Sequence, residues 1–434
     1  VSTITTRSIG AAFRAVTGAD RVIEDSDTLA GFAVDHVVPR WVVRPSAVDQ
    51  LAAVMTVAAE ERLAVAARGN GAALDLGAPP SRLDVVVDLA DLDAIVEYNA
   101  DDLTVTVQAG LPLDALNHHL QAHRQFLPLD PPGGHTVGGI AATGLSGPLR
   151  FRYGTMRDLL LGVRFVQADG VVTWGGSKVV KSVTGYDVPK LMVSALGTLG
   201  ILAELTLRLH SRPEAEGTWF VRVPSMGVAE TLVNAMLDST LQPSRIELLD
   251  AFALHEAALP VAAAALLVSF GSVPEAVAEQ GDRLTQLAHN AGGAARAVKG
   301  DWTVSTRRPD ETRTTLRVGA LPARLVSTYG MLARALQRLG DAARGVTAHA
   351  GLGVWHVVID GGTPEAIAKL IEELRAGVGA DGGYVVITGG PATVRRHIDP
   401  WGSIPDDVLT VMRSVKATFD PDNRLNPGRF VGGL

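Results

Sequence analysis

The sequence predicts an α+β chain in which a two-lobed cofactor-binding unit is followed by an α+β cap. Three observations carry that expectation. Glycines concentrate in three stretches, residues 68–77 (RGNGAALDLG), 127–158 and 185–202, which is more than turn chemistry needs. Short strand and helix patterns alternate along the chain, and the pattern restarts after Pro213. The last stretch, residues 416–430, is turn-rich yet ordered-looking, unlike a solvated end.

In chain order, a polar start leads to an extended segment at 35–43. A helical face follows over 46–63, with Ser46 as N-cap and Val48, Leu51, Met55 and Ala58 on its apolar side. A short strand at 63–67 runs into Arg68, Gly69, Asn70 and Gly71, and residues 84–89 close a first lobe near residue 95. The alternating LTVTVQ at 103–108 is a half-buried strand, and 111–123 a helix.

The central stretch comes next. Between Pro131 and Gly154 it holds seven glycines, and it ends in Arg150, Arg152, Tyr153, Arg157 and Asp158. Glycine-rich loops let main-chain N–H groups converge on a phosphate, so the three stretches together read as walls of one extended, phosphate-bearing cofactor site. Strands at 161–167, 171–174 and 201–209 complete a unit ending near residue 212. From 217 come strand 219–223, helix 228–237, strand 245–249, strand 263–270, helix 274–292 and strand 295–299, then a second set over 313–378. This gives three regions: 1–212 in two lobes (1–95 and 96–212), a cap over 213–385, and a carboxy-terminal segment over 386–434.

Composition narrows the function. A net charge of −7 argues against nucleic-acid partners. With no cysteine there is no thiolate nucleophile, no disulfide and no thiolate-held iron–sulfur cluster, so electrons must leave to another molecule. The longest apolar run, 259–270, is well short of the roughly 20 residues that span a bilayer. The first residues lack the charged and apolar regions of a signal peptide. The expectation is a cytoplasmic protein, with any membrane link made through partners.

Five segments in order, RGNG at 68–71, TVGGIAATGLSGPLRFRYGTMRD at 136–158, GGSKVVKSVTGYDVPKL at 175–191, GTLGIL at 197–202 and DPDNRLNPGRF at 420–430, resemble the vanillyl-alcohol-oxidase (PCMH-type) family of FAD-binding proteins. Within it the FAD-binding E subunit of glycolate oxidases is most similar. The resemblance implies FAD between the two lobes, with the carboxy-terminal segment returning to it. It implies one wall at Arg68, Gly69, Asn70, Gly71 and Ala72, and another at Thr136, Gly138 and Gly139. Ala142, Thr143 and Gly147 would line the flavin side, Gly200 and Ile201 would touch the cofactor through their backbone, and Asn426 would reach the ring. Pro131, Tyr153 and Gly197 complete the implied contacts. Ala72 stands where many relatives carry a cofactor-tethering histidine, so the FAD is expected to be non-covalent. No GxGxxG opens a helix after a first strand, so the Rossmann arrangement is not expected.

The segment HAGLGVWH, His349 to His356, resembles the HxGDGNxH motif of the family's D-2-hydroxyacid dehydrogenases, but Leu352 and Val354 replace its Asp and Asn. His349, His356 and Arg317 are the catalytic candidates, and no metal is expected, because two imidazoles without a carboxylate make a weak site. The plainer alternative is a pair of strand or turn histidines satisfied by backbone groups. Arg395, Arg396 and His397 are further candidates for an anionic substrate, with solvated positions as the alternative. Tyr186 and Asp187 are expected to fix a turn, and Lys178 and Lys181 to lie near phosphate, a partner or solvent. The implied function is the FAD-binding subunit of a glycolate-oxidase-like complex that oxidises a small 2-hydroxy acid. Its partners would be a homologous catalytic flavoprotein and an iron–sulfur subunit. A free-standing dehydrogenase or oxidase, and a scaffold subunit with structural FAD, are the alternatives.

Overall fold

The structure, a computed structural model, describes residues 2–178, 185–260, 262–299, 312–340 and 343–434. Lys181 lies outside the described residues. The chain is α+β and begins with a helix, Ser2–Thr17, where the sequence reads only as a polar start. Its Ile9 and Phe13 are buried, with Phe13 edge-on to Trp41.

The first sheet has strand order Val22–Ile23, Trp41–Val43, Val85–Asp88, Val65–Arg68, and the last three are parallel. Only Trp41–Val43 of the expected extended segment is strand. Asp35 and His36 adopt left-handed backbone (φ 52° and 69°) in a tight turn closed by the Val34 and Val37 bridge, and the Asp35 carboxylate holds Arg395. The helix after it runs Val48–Glu60 with Ala47 at the N-cap. Ser46 does not cap it, because its amide and hydroxyl both bond the Gln50 side chain.

The second sheet is antiparallel, in the order Ile95–Asn99, Thr104–Gln108, Ile201–Arg208, Leu160–Val166, Val172–Gly176. One apolar core joins the two sheets, with Leu51, Met55 and Val85 packed in the same cluster as Val105, Phe165 and Leu205. The central glycine-rich stretch is not loop throughout. Residues Val137–Thr143 form a helix despite two glycines, because the Thr136 hydroxyl accepts the Gly139 amide at 3.1 Å. Gly138 is required there by close approach, since a side chain would come within 2.7 Å of the Ala109 carbonyl oxygen. Asp187 caps helix Val188–Met192 by accepting the Lys190 amide. Tyr186 is 95% exposed, and Lys178 pairs with Glu97.

The third sheet has eight antiparallel strands in the order Ala294–Val298, Ala215–Val223, Ala264–Ser272, Arg245–Asp250, Ala343–His349, Val354–Asp360, Arg313–Gly319, Tyr384–Gly389. Helices Met226–Leu237, Pro274–Asn290, Leu325–Gln337 and Pro364–Gly379 bury Leu232, Leu284, Leu332 and Ile371 against Leu248, Leu266, Leu316 and Val357 on one face. The alternate residues, among them Glu247, Arg317, His349 and His356, therefore face the other way, toward the first half of the chain.

The carboxy-terminal helix Asp406–Phe419 leads into a tail that pairs with the first sheet. Val65 donates to the Arg424 carbonyl and Asn426 donates to that of Val65, a one-residue extension of the parallel ladder. Buried Lys416 fixes this return by donating to Asp420 Oδ2 (2.6 Å), the Thr198 carbonyl (2.9 Å) and the Leu425 carbonyl (3.0 Å). Asp420 also accepts the amides of Arg424 and Leu425. Removing one partner of a buried pair leaves an uncompensated charge, so Asp420→Ala should cost about 3–5 kcal/mol of stability in urea unfolding.

Candidate cofactor and substrate site

Between the two lobes lies a groove. Arg68, Gly69, Asn70, Gly71 and Ala72 line one side, Thr136, Gly139, Ala142 and Thr143 the other, and Asn426 reaches it from the tail. Strand Val65–Arg68 delivers the first wall. Beyond it, the amides of Asn70, Gly71, Ala73 and Leu74 meet no acceptor in the described chain, while the Ala72 amide bonds Asn70 Oδ1 at 3.3 Å. Gly69 lies against Thr136, whose hydroxyl a side chain would strike. Gly71 combines φ +80° with the Arg68 guanidinium 2.9 Å from where a Cβ would be. Arg68 lies over the Phe32 ring at 4.4 Å and 4.0 Å from Asp88, and its buried Nε has no partner. A row of unengaged N–H groups beside a guanidinium is suited to a polyphosphate.

The second wall differs from expectation. The Gly138 amide bonds the Ala109 carbonyl at 2.8 Å and that of Gly139 bonds Thr136, so both are taken by helix capping and are not offered to a ligand. Gly138 lies outside the groove lining, as do Pro131, Gly147, Tyr153, Gly197, Gly200 and Ile201. Each has another setting. Gly147 abuts Asp130, Tyr153 packs edge-on to Phe126 and His210, and Gly200 packs on Phe165. Gly197 lies directly under Asn426, whose Nδ2 donates to the Leu196 carbonyl at 2.6 Å. Asn426 Oδ1 is buried without a hydrogen-bond partner among the described residues, an acceptor awaiting a donor.

Ala67, Ala73, Leu74, His135, Leu196 and Arg429 also line the groove, and sequence reasoning missed them. Buried His135 bonds the Pro132 carbonyl at 2.8 Å, and burial pushes its pKa down. Arg429 donates to the carbonyls of Leu74, Leu76 and Ala78 and so braces the phosphate-side loop from behind.

The polar face of the eight-stranded sheet brings the histidines together. His349 Nδ1 lies 2.7 Å from Glu247 Oε1, and its Nε2 lies 3.2 Å from His356 Nε2. Glu247 and His349 are 6% and 2% exposed. The backbone-satisfied alternative is thus not what is seen, because side chains satisfy both rings. Arg317 is paired with His356 across adjacent strands. Burial and the charges of His349, Arg317 and Arg150 hold His356 well below the usual imidazole range. Among the described residues, no group of three or more His, Cys, Asp or Glu is arranged to hold a metal ion.

Asp130 and Arg245, 3.6 Å apart, join the first half to this cluster. The Leu149 amide donates to Asp130 from the segment that links Thr143 to Arg150, so groove and histidine cluster share one connecting strand of chain. At the other end, Asp75 of the phosphate-side loop accepts the Gly390 amide at 3.2 Å. Arg395 is not a substrate residue. It is buried, with its donors taken by Asp35 and by the carbonyls of Gly77 and Gly390. Arg396 and His397 are exposed beside it. Glu247 has no motif around it, and only strand register reveals it.

Known proteins resemble the chain over nearly its whole length. The family described as FAD binding domain matches residues 39–176, and that described as FAD linked oxidases, C-terminal domain matches 212–430. Glycolate oxidase subunit GlcD of Bacillus subtilis is 24% identical, over 91% of this chain and 89% of its own. D-2-hydroxyglutarate dehydrogenase of Xanthomonas citri is 26% identical, over 90% and 89%. The structure of p-cresol methylhydroxylase with substrate bound superposes with a TM-score of 0.78 over 99% of this chain and 97% of that one, at 18% identity, which shows a shared fold. The cofactor is FAD, and the open amides, Arg68 and the orphaned Asn426 oxygen fit its phosphates and a polar ring edge.

Two outcomes follow from this geometry. A β-branched side chain at positive φ costs roughly 1–3 kcal/mol, so Gly71→Val should weaken FAD binding by about tenfold or more, read by flavin titration, with an unchanged circular dichroism spectrum. Burial pushes Asp130 from 3.8 up to about 6 against the pull of Arg245 and the Leu149 amide. The native state therefore holds a proton that the unfolded chain releases, and this stabilising term, full below pH 3.8, is lost as pH rises through 6. Relative to Asp130→Asn, the unsubstituted chain should lose about 1 kcal/mol between pH 5 and pH 7.5 in urea midpoints.

Proposed function

We propose, for a chain that belongs to the FAD-linked oxidases, that it oxidises a small 2-hydroxy acid and passes the electrons to a partner protein. FAD, when bound, supplies the two-electron acceptor for the hydrogen on the substrate carbon. The observation that carries the reading is the buried Glu247, His349 and His356 chain on the polar face of the eight-stranded sheet.

In this reading residues 1–212 hold the cofactor, 213–385 form the cap and 386–434 return Asn426 to the ring. Glu247 accepts the Nδ1 proton of His349, leaving His349 Nε2 free to accept from His356 Nε2–H. His356, kept neutral by burial and by nearby cations, takes the substrate hydroxyl proton at Nδ1 and passes its Nε2 proton to His349. The resulting imidazolium rests against the Glu247 carboxylate. A proton therefore ends where a counter-charge waits, although the first acceptor is a weak base.

With no cysteine in the chain, an iron–sulfur subunit is the proposed electron acceptor. A second reading, in which the chain acts only beside a homologous catalytic flavoprotein, is supported by Leu352 and Val354 standing where the dehydrogenase motif has Asp and Asn.

Anaerobic addition of glycolate or D-lactate to the FAD-loaded chain should bleach the flavin absorbance. His356→Ala should slow that reduction by about 10²–10⁴-fold, the usual range for losing a proton acceptor. Flavin that stays oxidised until a partner flavoprotein is added would instead support the second reading.

A further inference from the structure

We infer that Phe151 is a positioning residue for the histidine pair, a ring from the cofactor half of the chain seated on the turn that joins the two histidine-bearing strands. The inference rests on the reading of His356 as the acceptor of the substrate proton. Strands Ala343–His349 and Val354–Asp360 are joined by residues 350–353. His349 stands opposite Val354 and His356 opposite Thr347, so the two imidazoles are diagonal neighbours on one face of the hairpin. Diagonal neighbours start about 7–8 Å apart. The 3.2 Å contact between the two Nε2 atoms therefore depends on how the end of the hairpin twists.

Phe151 belongs to helix Arg150–Tyr153, shortly beyond Thr143 of the groove wall. Its half-buried ring packs against the apolar core of the cap, the cluster that contains Ala350 and Trp355 of the same hairpin. The contact with the turn is close enough to require glycine. A Cβ at Gly351 would overlap Phe151 Cε2 and lie 3.2 Å from Cδ2 and Cζ, although Gly351 is not in the left-handed region. Space, not φ, fixes the residue there. Flanking residues hold the same segment in place. The Leu149 amide donates to Asp130 at 3.0 Å, Asp130 lies 3.6 Å from Arg245, and the Arg152 guanidinium donates to Gln242 Oε1 at 3.4 Å. Gln242 and Arg245 lie before and at the start of strand Arg245–Asp250, which carries Glu247. The segment is thus tied to the Glu247 strand while its ring bears on the turn beside His349.

A hydrogen-bonded relay tolerates little change in donor–acceptor distance. Misplacing a reacting group by about 1 Å costs up to about a hundredfold in rate. Glu247 and His349 stand directly opposite each other, so strand register alone keeps that pair bonded. The diagonal link from His349 to His356 has no such support, and the seated ring supplies it through the turn. Loss of the ring therefore breaks the relay between the two imidazoles. Phe151 moves no proton itself.

The test uses FAD-loaded protein. Phe151→Ala and Gly351→Ala should each lower the limiting rate of anaerobic flavin reduction by glycolate or D-lactate by about tenfold or more, with FAD content and half-saturating concentration unchanged. The double variant, in which the new methyl enters the space vacated by the ring, should be no slower than the slower single variant. Phe151→Leu should recover part of the loss. In nitrogen NMR spectra of protein carrying labelled histidine, Phe151→Ala should shift the ring nitrogens of His349 and His356, assigned by their loss in His349→Gln and His356→Gln, and leave those of exposed His289 in place. Full-rate reduction in both single variants, additive losses in the double variant, or unshifted His349 and His356 nitrogens would overturn the assignment. Should Phe151→Ala lose its FAD, Gly351→Ala carries the same measurements with one added methyl. If the unsubstituted chain is not reduced at all, the redox reading fails and the nitrogen spectra alone decide the role of the ring. If it is reduced and the nitrogens stay unmoved in Phe151→Ala, the positioning role fails and the redox reading stands.

Discussion

The return of the tail through Lys416 and Asp420 is the constraint on which the cofactor groove depends. Neither charge is solvated, so each is tolerable only because its partners are complete. Lys416 has one carboxylate and two carbonyls, and Asp420 has one ammonium and two amides. Those carbonyls belong to Thr198 and Leu425. The pair therefore joins the loop that carries Leu196 and Gly197 to the segment that carries Asn426, and it sets the floor of the groove from two ends of the chain more than 200 residues apart. Arg429 and Arg395 act in the same way one layer out, saturating carbonyls of residues 74–78. Carbonyls held from behind leave the loop fixed while its amides at 70, 71, 73 and 74 stay open.

The eight-stranded sheet supplies the opposite wall for a reason set by its layers. Four helices cover one face with leucine, isoleucine and valine; on the other face Phe220, Leu249 and Leu267 pack with helix Ala251–Glu256, and the polar positions Arg245, Glu247, Arg317, His349 and His356 share that face. A sheet exposed there to solvent would carry scattered polar residues. This one carries paired ones, Glu247 with His349 and Arg245 with Asp130, because burial between two layers makes an unpartnered charge costly.

Much of this was legible in the sequence. Strands at 85–88, 104–108, 201–208 and 245–250 fall where short apolar runs read as strands, with alternation only in the second, and the first glycine wall falls at RGNG. The helix at Val137–Thr143 was not, because two glycines and a following loop mask a start signal that only the Thr136 hydroxyl provides. The turn at Asp35 was not, because its left-handed residues are held by Arg395, 360 positions away. Glu247 was least legible of all. Its strand was legible, but its place in the site exists only because register sets it opposite His349 across 102 residues. Motifs report local backbone demands, whereas a proton path is a property of pairing between distant strands.

The charge arrangement of the site also explains why a histidine with depressed basicity is useful. In the proposed reading, burial and then nearby cations keep His356 neutral, which is the form that can accept a proton, but the same environment would eject that proton again. Glu247 lies on the far side of His349, so a proton moving from His356 to His349 travels away from the arginines and toward a carboxylate. The gradient runs in one direction because the positive charges stand at one end of the imidazole pair and the negative charge at the other.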